Sequence, residues 1–406
     1  MKNKIYKIKW ETIVLLLLIL LNFTYFFWLE GLIKALFAGT APSWFENLVS
    51  NLYPRLIVER SRFNPNFFLE KAFQIVLRGD SVVIGFLLFS IALKYSETFR
   101  GNVNTFWSEK ESGNYLASLV AIFQLGLLIL LYDWAEPLYD FLPLTEFYEP
   151  ILLFKILHIS FPNQFWLSVW VVLFASSAIL LIAYFGFGKL KKMRNYLMLI
   201  SISNSLIFIL LHGYYLCFGK VVHTYSPIIY VSLLMPILIW EVLKSNQRKS
   251  KDILLVQPSR LGKPPLEPKQ EKQVSRLTTK TFTNFFILKL IQIAIASCYF
   301  LSGLDKLFTS GFAWLNPTHF KLQLLESEQA LGLWLLESAD WLISLAPTLA
   351  ILFQLGFISI IFFPKLRCIF LPAGFLFHLG TFLLLGVGWW LHPWLLGYVF
   401  FVRWRE

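Results

Sequence analysis

Apolar residues along this chain come in long uninterrupted blocks, without the period-two alternation of a half-buried strand. Many blocks run to about 18 residues, the length that carries a helix across the hydrocarbon core of a bilayer. The pattern predicts spans over Ile13–Trp28, Ser81–Tyr95, Tyr115–Tyr132, Phe165–Phe187, Tyr196–Cys217, Tyr225–Leu243, Asn284–Leu304, Pro347–Phe363 and Cys368–Gly388. A short apolar tail, Pro393–Val402, follows and is too brief to cross alone. The reading is an all-α fold, a polytopic transmembrane helix bundle of about nine spans. A membrane barrel would show alternating strands of about ten residues instead.

The polar intervals give the orientation. Lys2, Lys4, Lys7 and Lys9 place the N-terminus in the cytoplasm, because cytoplasmic loops collect Lys and Arg. Lys189, Lys191, Lys192 and Arg194 mark a second cytoplasmic loop, Lys244–Lys280 a third and Pro364–Arg367 a fourth. Counting spans alternately puts all of them on one side. Residues 245–283, rich in Pro, Gln, Ser and Lys, read as a basic disordered cytoplasmic linker. On the outer side, Ala38–Asp80 reads as a long loop, and His319–Trp341 as one amphipathic helix in the interface. The first apolar segment lacks a small-residue cleavage site and reads as a retained helix.

Composition sharpens the class. The chain is 57% hydrophobic and 15% charged, against about 25% charged in soluble domains. The net charge of +12 fits basic cytoplasmic loops on anionic lipid, so the expected partner is the bilayer and not nucleic acid. Cys217, Cys298 and Cys368 have no C-x-x-C spacing, so no metal is expected. No Walker loop, nucleophile elbow, H-E-x-x-H or Rossmann fingerprint is present, which disfavours ATP hydrolysis and zinc proteolysis.

Ionisable residues in spans are costly and need a reason. Lys306 closes the seventh predicted span among Leu and Phe; it is either a snorkelling lysine or a desolvated general base. His378 sits in mid-span, for a bundle hydrogen bond or for a proton or ligand. His223 precedes the sixth span as a polar helix-start residue or part of an outer site. His212, with the Ser201, Asn204 and Ser205 row, is suited to hydrogen bonds between helices. Trp389, Trp390, Trp394 and Tyr398 read as an interfacial aromatic belt, and His392 as exposed.

Tyr299-Phe300-x-x-Gly303-x-x-Lys306-Leu307, followed by Trp314, resembles a motif of the vitamin K-dependent γ-carboxylase family and its bacterial relatives, the horizontally transferred transmembrane (HTTM) domain proteins. Gln354-Leu355-Gly356, the Pro-Lys-Leu-Arg turn, Phe377-His378-Leu379-Gly380 and Gly386-Val387-Gly388 resemble the family's C-terminal run, and His223-Thr224-Tyr225 its His-Ser-Tyr. The resemblance covers roughly Glu146 to Val402. It implies extra N-terminal spans over 1–145, a first part of the membrane core over 146–244, the linker over 245–283 and a second part of the core over 284–406. It also implies that Lys306 deprotonates a hydroquinone of menaquinone or vitamin K type, that His223 and His378 assist, and that Tyr299 and Trp314 bind the cofactor. A position that is usually lysine in the family's carboxylase is Asp305 here, and the chain ends at Glu406 where the carboxylase continues into an outer β-rich domain.

The expected function is therefore an HTTM-like, multi-pass protein of the cell membrane, the inner or plasma membrane of a bacterium, binding or acting on a quinone-like lipid at an outward-facing site. Two rivals stand beside it: a non-catalytic membrane factor for maturation or export of a secreted peptide, and a small-molecule transporter. The transporter predicts internal pseudo-symmetry, and no such repeat is visible in the sequence.

Overall fold

The structure, a computed structural model, describes residues 10–52, 56–57, 60–62, 64–109, 111–188, 195–218, 225–256, 282–283, 285–388 and 392–402. The fold is all-α and polytopic. Seven described helices are long and apolar enough to cross a membrane, and up to nine spans result if each of two bent helix pairs counts as one. A two-residue antiparallel pairing, Glu111–Ser112 with Phe282–Thr283, is the only strand pairing among the described residues. The chain divides into two compact units, Met1–Asn102 with Gly303–Leu315, and Val103–Ser302 with Asn316–Glu406.

The first unit holds α1 (Thr12–Ala38), α2 (Ser43–Leu52) and α3 (Pro65–Tyr95). Gly39, at φ 72°, ends α1 with a left-handed cap. The second predicted span begins 16 residues early, at Pro65 and not Ser81. Asn64 caps that start by accepting from the Asn66 N–H at 2.9 Å, and Pro65 takes the first helical position, where its missing N–H costs nothing. Glu70, Lys71 and Gln74 bond one another along the helix surface, so the polar half is helical too. The expected loop over Ala38–Asp80 is therefore largely helical. Asn22 of α1 donates to both carboxylate oxygens of Asp80 in α3, at 2.9 and 3.0 Å. The two helices meet closely at Gly79, where a Cβ would come within 2.6 Å of Leu21.

α4 (Glu97–Ser108) leads into the second unit, which holds α5 (Gly113–Ile129), α6 (Leu131–Asp140), α7 (Gln164–Phe185), α8 (Leu197–Cys217), α9 (Ser226–Val256), α10 (Phe286–Ser310), α11 (Pro317–Ser327), α12 (Ala330–Ser338), α13 (Asp340–Gly356), α14 (Arg367–Leu385) and α15 (Pro393–Tyr398). The last turns of α10, from Gly303, belong to the first unit. α5 and α6 meet at a bend of 40°, α12 and α13 at 113°. Leu119 and Phe123 of α5, Phe174 and Leu181 of α7, Phe208 of α8 and Ile291 and Ile295 of α10 are fully buried and form the centre of the core. Asn204 of α8 donates to Ser177 Oγ of α7 at 2.8 Å, the interhelical bond expected of that polar row.

Two expected segments differ. α9 continues to Val256, beyond the start of the predicted linker; residues 257–281 lie outside the described residues. The expected helix over His319–Trp341 breaks into α11 and α12 at Glu328, whose φ of 52° is a left-handed cap.

The apolar tail is neither a tenth span nor a surface strap. It lies in the core beside α10: Gln292 donates to the Phe400 carbonyl at 2.7 Å, and Tyr115 of α5 to the Val402 carbonyl at 2.8 Å. Phe400 and Phe401 are buried, and a Cβ at Gly126 of α5 would overlap Leu396.

Candidate functional site

Four elements of the second unit bring a polar cluster together inside its apolar core. On α10, Gln292, Ile295 and Tyr299 recur at intervals of three and four, so they share the buried face. On α14, Gly374 and His378 are four apart and also share a face. Gly374 has no side chain because Tyr398 of α15 needs its space: a Cβ there would overlap the Tyr398 hydroxyl. The loop before α15 supplies His392.

Tyr299 is fully buried. Its hydroxyl lies 2.6 Å from His378 Nε2 and 2.7 Å from the Tyr398 hydroxyl. The His378 and His392 rings lie parallel, with centroids 4.0 Å apart and planes at 17°. Phe357 and Trp394 each come within 4.3 Å of the Tyr299 ring, centroid to centroid. This is an apolar aromatic box with a polar thread through it.

The thread can run either way. A phenol has one proton to donate. If Tyr398 donates to Tyr299 and Tyr299 to His378 Nε2, both hydroxyl protons are placed and His378 carries its own on Nδ1; in the reverse direction His378 Nε2–H donates to Tyr299 and Tyr299 to Tyr398. His392 is the N-cap of α15, its Nδ1 accepting from the Trp394 N–H at 3.4 Å, so its proton is on Nε2. Each stacked imidazole thus has one nitrogen outside these bonds, and a phenol–phenol–imidazole chain can relay a proton.

The nominated residues fall as follows. His378 and Tyr299 are hydrogen-bonded partners in the second unit. Lys306 and Trp314 belong to the first unit, with Lys306 Nζ 5.4 Å from the Trp314 ring centroid, a cation–π contact. Asp305, next to Lys306, forms an ion pair with Arg78 of α3, which offsets its charge. His223 lies outside the described residues. His392, expected to be exposed, is 7% exposed, because it caps α15 and stacks on His378. Trp394 and Tyr398, expected in an interfacial belt, line the box. The signals for them were the His392-Pro393 cap and the uncharged run from Trp394 to Val402, which has no polar face to offer water.

A second histidine cluster lies elsewhere in the same unit. His212 of α8, expected to bond across helices, bonds its own helix: Nδ1 donates to the Phe208 carbonyl at 3.0 Å. Among the described residues, its Nε2 and the Trp134 Nε1 are both buried without a partner. The rings of Trp134, Phe208 and Tyr225 lie 5.3, 4.2 and 4.8 Å from the imidazole, centroid to centroid. Tyr225 in turn donates to Asp133 and Tyr215 to the Trp134 carbonyl.

Lys289 escaped the sequence reading. It is 1% exposed and pairs with Glu109 at 3.0 Å. Burial pushes the nearby Glu111 carboxyl up, while Lys289 and Arg367 pull it down. Among the described residues no group of three His, Cys, Asp or Glu side chains is placed to hold a metal ion.

No family model, curated protein or solved structure matches this chain.

Proposed function

We propose that this multi-pass membrane protein binds a quinone-type lipid in its second unit, at the stacked pair His378 and His392. The observation that carries the reading is the Tyr398–Tyr299–His378 chain, closed at its far end by the second imidazole. Polar side chains within a bilayer-spanning core mark ligand or proton pathways by default, because burying them otherwise only costs stability. Aromatic walls with a few convergent donors suit a flat ring that carries oxygens. The fully buried Tyr299 supports the site from behind, while His378 and His392 retain 5% and 7% exposure.

In this reading the imidazole nitrogens outside the phenol and cap bonds hold a ring oxygen, and the phenol chain fixes the His378 ring. The resemblance assigns hydroquinone deprotonation to Lys306 with His223 and His378 assisting, and that assignment is tested separately. The experiment is binding of menaquinone to protein in nanodiscs, followed by quenching of tryptophan fluorescence. Wild type should bind menaquinone at least about tenfold more tightly than an isoprenoid alcohol of equal chain length, a gap worth about 1.4 kcal/mol. Equal affinity for the two would overturn the reading. Lys306→Ala should bind menaquinone like wild type, because Lys306 belongs to the first unit.

A further inference from the structure

His392, Trp394 and Tyr398 all come to the histidine site from one short segment, so the geometry of the site depends on where that segment sits. α15 is six residues long and closes in tight turns: the Phe400 N–H donates to the Gly397 carbonyl at 3.3 Å and the Phe401 N–H to the Tyr398 carbonyl at 2.9 Å. A helix of that length does not hold itself. The carbonyls of Phe400, Phe401 and Val402 lie beyond those turns, where a helix leaves its acceptors without intrahelical donors. Three other elements supply donors: Gln292 of α10 to Phe400 at 2.7 Å, Arg367 of α14 to Phe401 at 3.5 Å and Tyr115 of α5 to Val402 at 2.8 Å.

Two of these elements also touch the segment nearer the site. Along the buried face of α10, Tyr299 meets Tyr398, Ile295 meets Gly397 and Gln292 meets the Phe400 carbonyl. The contact at Gly397 is close, since a Cβ there would come within 3.2 Å of Ile295. On α14, Arg367 and His378 are about three turns apart and share a face with Gly374. A slip of the segment by one residue would shift the Tyr398 side chain by about 1.5 Å and turn it by about 100°. Its hydroxyl would then leave the space that Gly374 keeps open.

We infer that Gln292 is a positioning residue of the histidine site, with Tyr115 as its second: by holding the carbonyls of Phe400 and Val402 they set the register of α15, and with it the placement of Tyr398, Trp394 and His392. Gln292 is 4% exposed and acts through the tail, not by touching the ligand. The ligand arm of the test rests on the quinone-binding reading above; the other arm needs no ligand.

The test compares full-length wild type, Gln292→Met, Tyr115→Phe and Leu181→Val in nanodiscs. Methionine keeps the length of glutamine and loses the donor; phenylalanine keeps the ring and loses one oxygen, so it carries the test if Gln292→Met fails to fold. Leu181→Val destabilises the core from α7, outside the elements that build the site. In ¹⁵N NMR of histidine-labelled protein without ligand, Gln292→Met and Tyr115→Phe should move the His378 and His392 ring resonances, and Leu181→Val should leave them in place. Unmoved resonances in the folded variants overturn the inference, as does an equal movement in Leu181→Val, which would make the effect one of general stability. Menaquinone affinity should fall about threefold to tenfold in the first two variants, the effect of misplacing one hydrogen-bonded contact, and stay at the wild-type value in Leu181→Val. Moved resonances with unchanged affinity would keep the positioning role and overturn the quinone-binding reading, as would failure of wild type to bind menaquinone.

Discussion

Two of the buried histidines of the second unit, His212 and His378, each lie in a box of aromatic rings, and they are wired in opposite ways. His212 gives its Nδ1 proton to a carbonyl one turn back on its own helix, and its other nitrogen has no partner among the described residues. His378 takes a bond from α10, is backed through Tyr299 by α15, and stacks on a second imidazole from a loop. The first could be exchanged for an apolar ring at little cost. The second holds four elements in register, and its exchange takes a buried hydrogen-bond partner from Tyr299. Burial and aromatic company are thus shared by both, and only the connections across elements separate a packing histidine from a candidate for chemistry.

The largest expected effect is at the joint of the wired cluster. Gly374→Ala would force its new Cβ into the Tyr398 hydroxyl. Unfolding in mixed micelles should show a loss near the top of the about 1–3 kcal/mol range for overpacking. A change under about 0.5 kcal/mol would mean that the tail is free to shift. Next comes His378→Phe, which keeps an aromatic ring and removes a buried hydrogen-bond partner of the Tyr299 hydroxyl; about 1–3 kcal/mol should be lost. His212→Phe is the matched control. It removes an unpaired buried nitrogen and keeps the ring contacts, so stability should stay within about 0.5 kcal/mol of wild type or rise. If His212→Phe and His378→Phe proved equally costly, the contrast between the clusters would collapse.

The smallest effect belongs to neither cluster and sets their pH baseline. Glu111 has its carboxyl pushed up by burial, so the folded state binds that proton more tightly than the unfolded chain does. Stability should therefore rise modestly as pH falls through its folded value toward the ordinary carboxylate range. Glu111→Gln should flatten that slope. A steeper slope in the variant would reverse the sign.

The spans were legible because a bilayer demands unbroken apolar length, and Phe165–Phe187 and Tyr196–Cys217 match α7 and α8 to within two residues at each end. The start of α3 was not, because its first turns are polar and are satisfied by Glu70, Lys71 and Gln74 along the helix, a local arrangement that hydropathy does not see. Within the site, Tyr299 and His378 were visible as a motif and as a polar residue in mid-span. His392 and Tyr398 were not, since an aromatic tail beside a predicted membrane end reads equally well as an interfacial belt. What placed them was the packing of the tail against α10, together with the missing side chain at Gly374. Neither leaves a periodic signal in the sequence.

The central claim is that the wired histidine, and not the isolated one, belongs to a quinone-type site. Menaquinone affinity in nanodiscs, measured side by side for wild type, His378→Phe and His212→Phe, tests it most directly. The account predicts a loss of about tenfold or more for His378→Phe and wild-type affinity for His212→Phe. Equal affinity in all three folded proteins would contradict it.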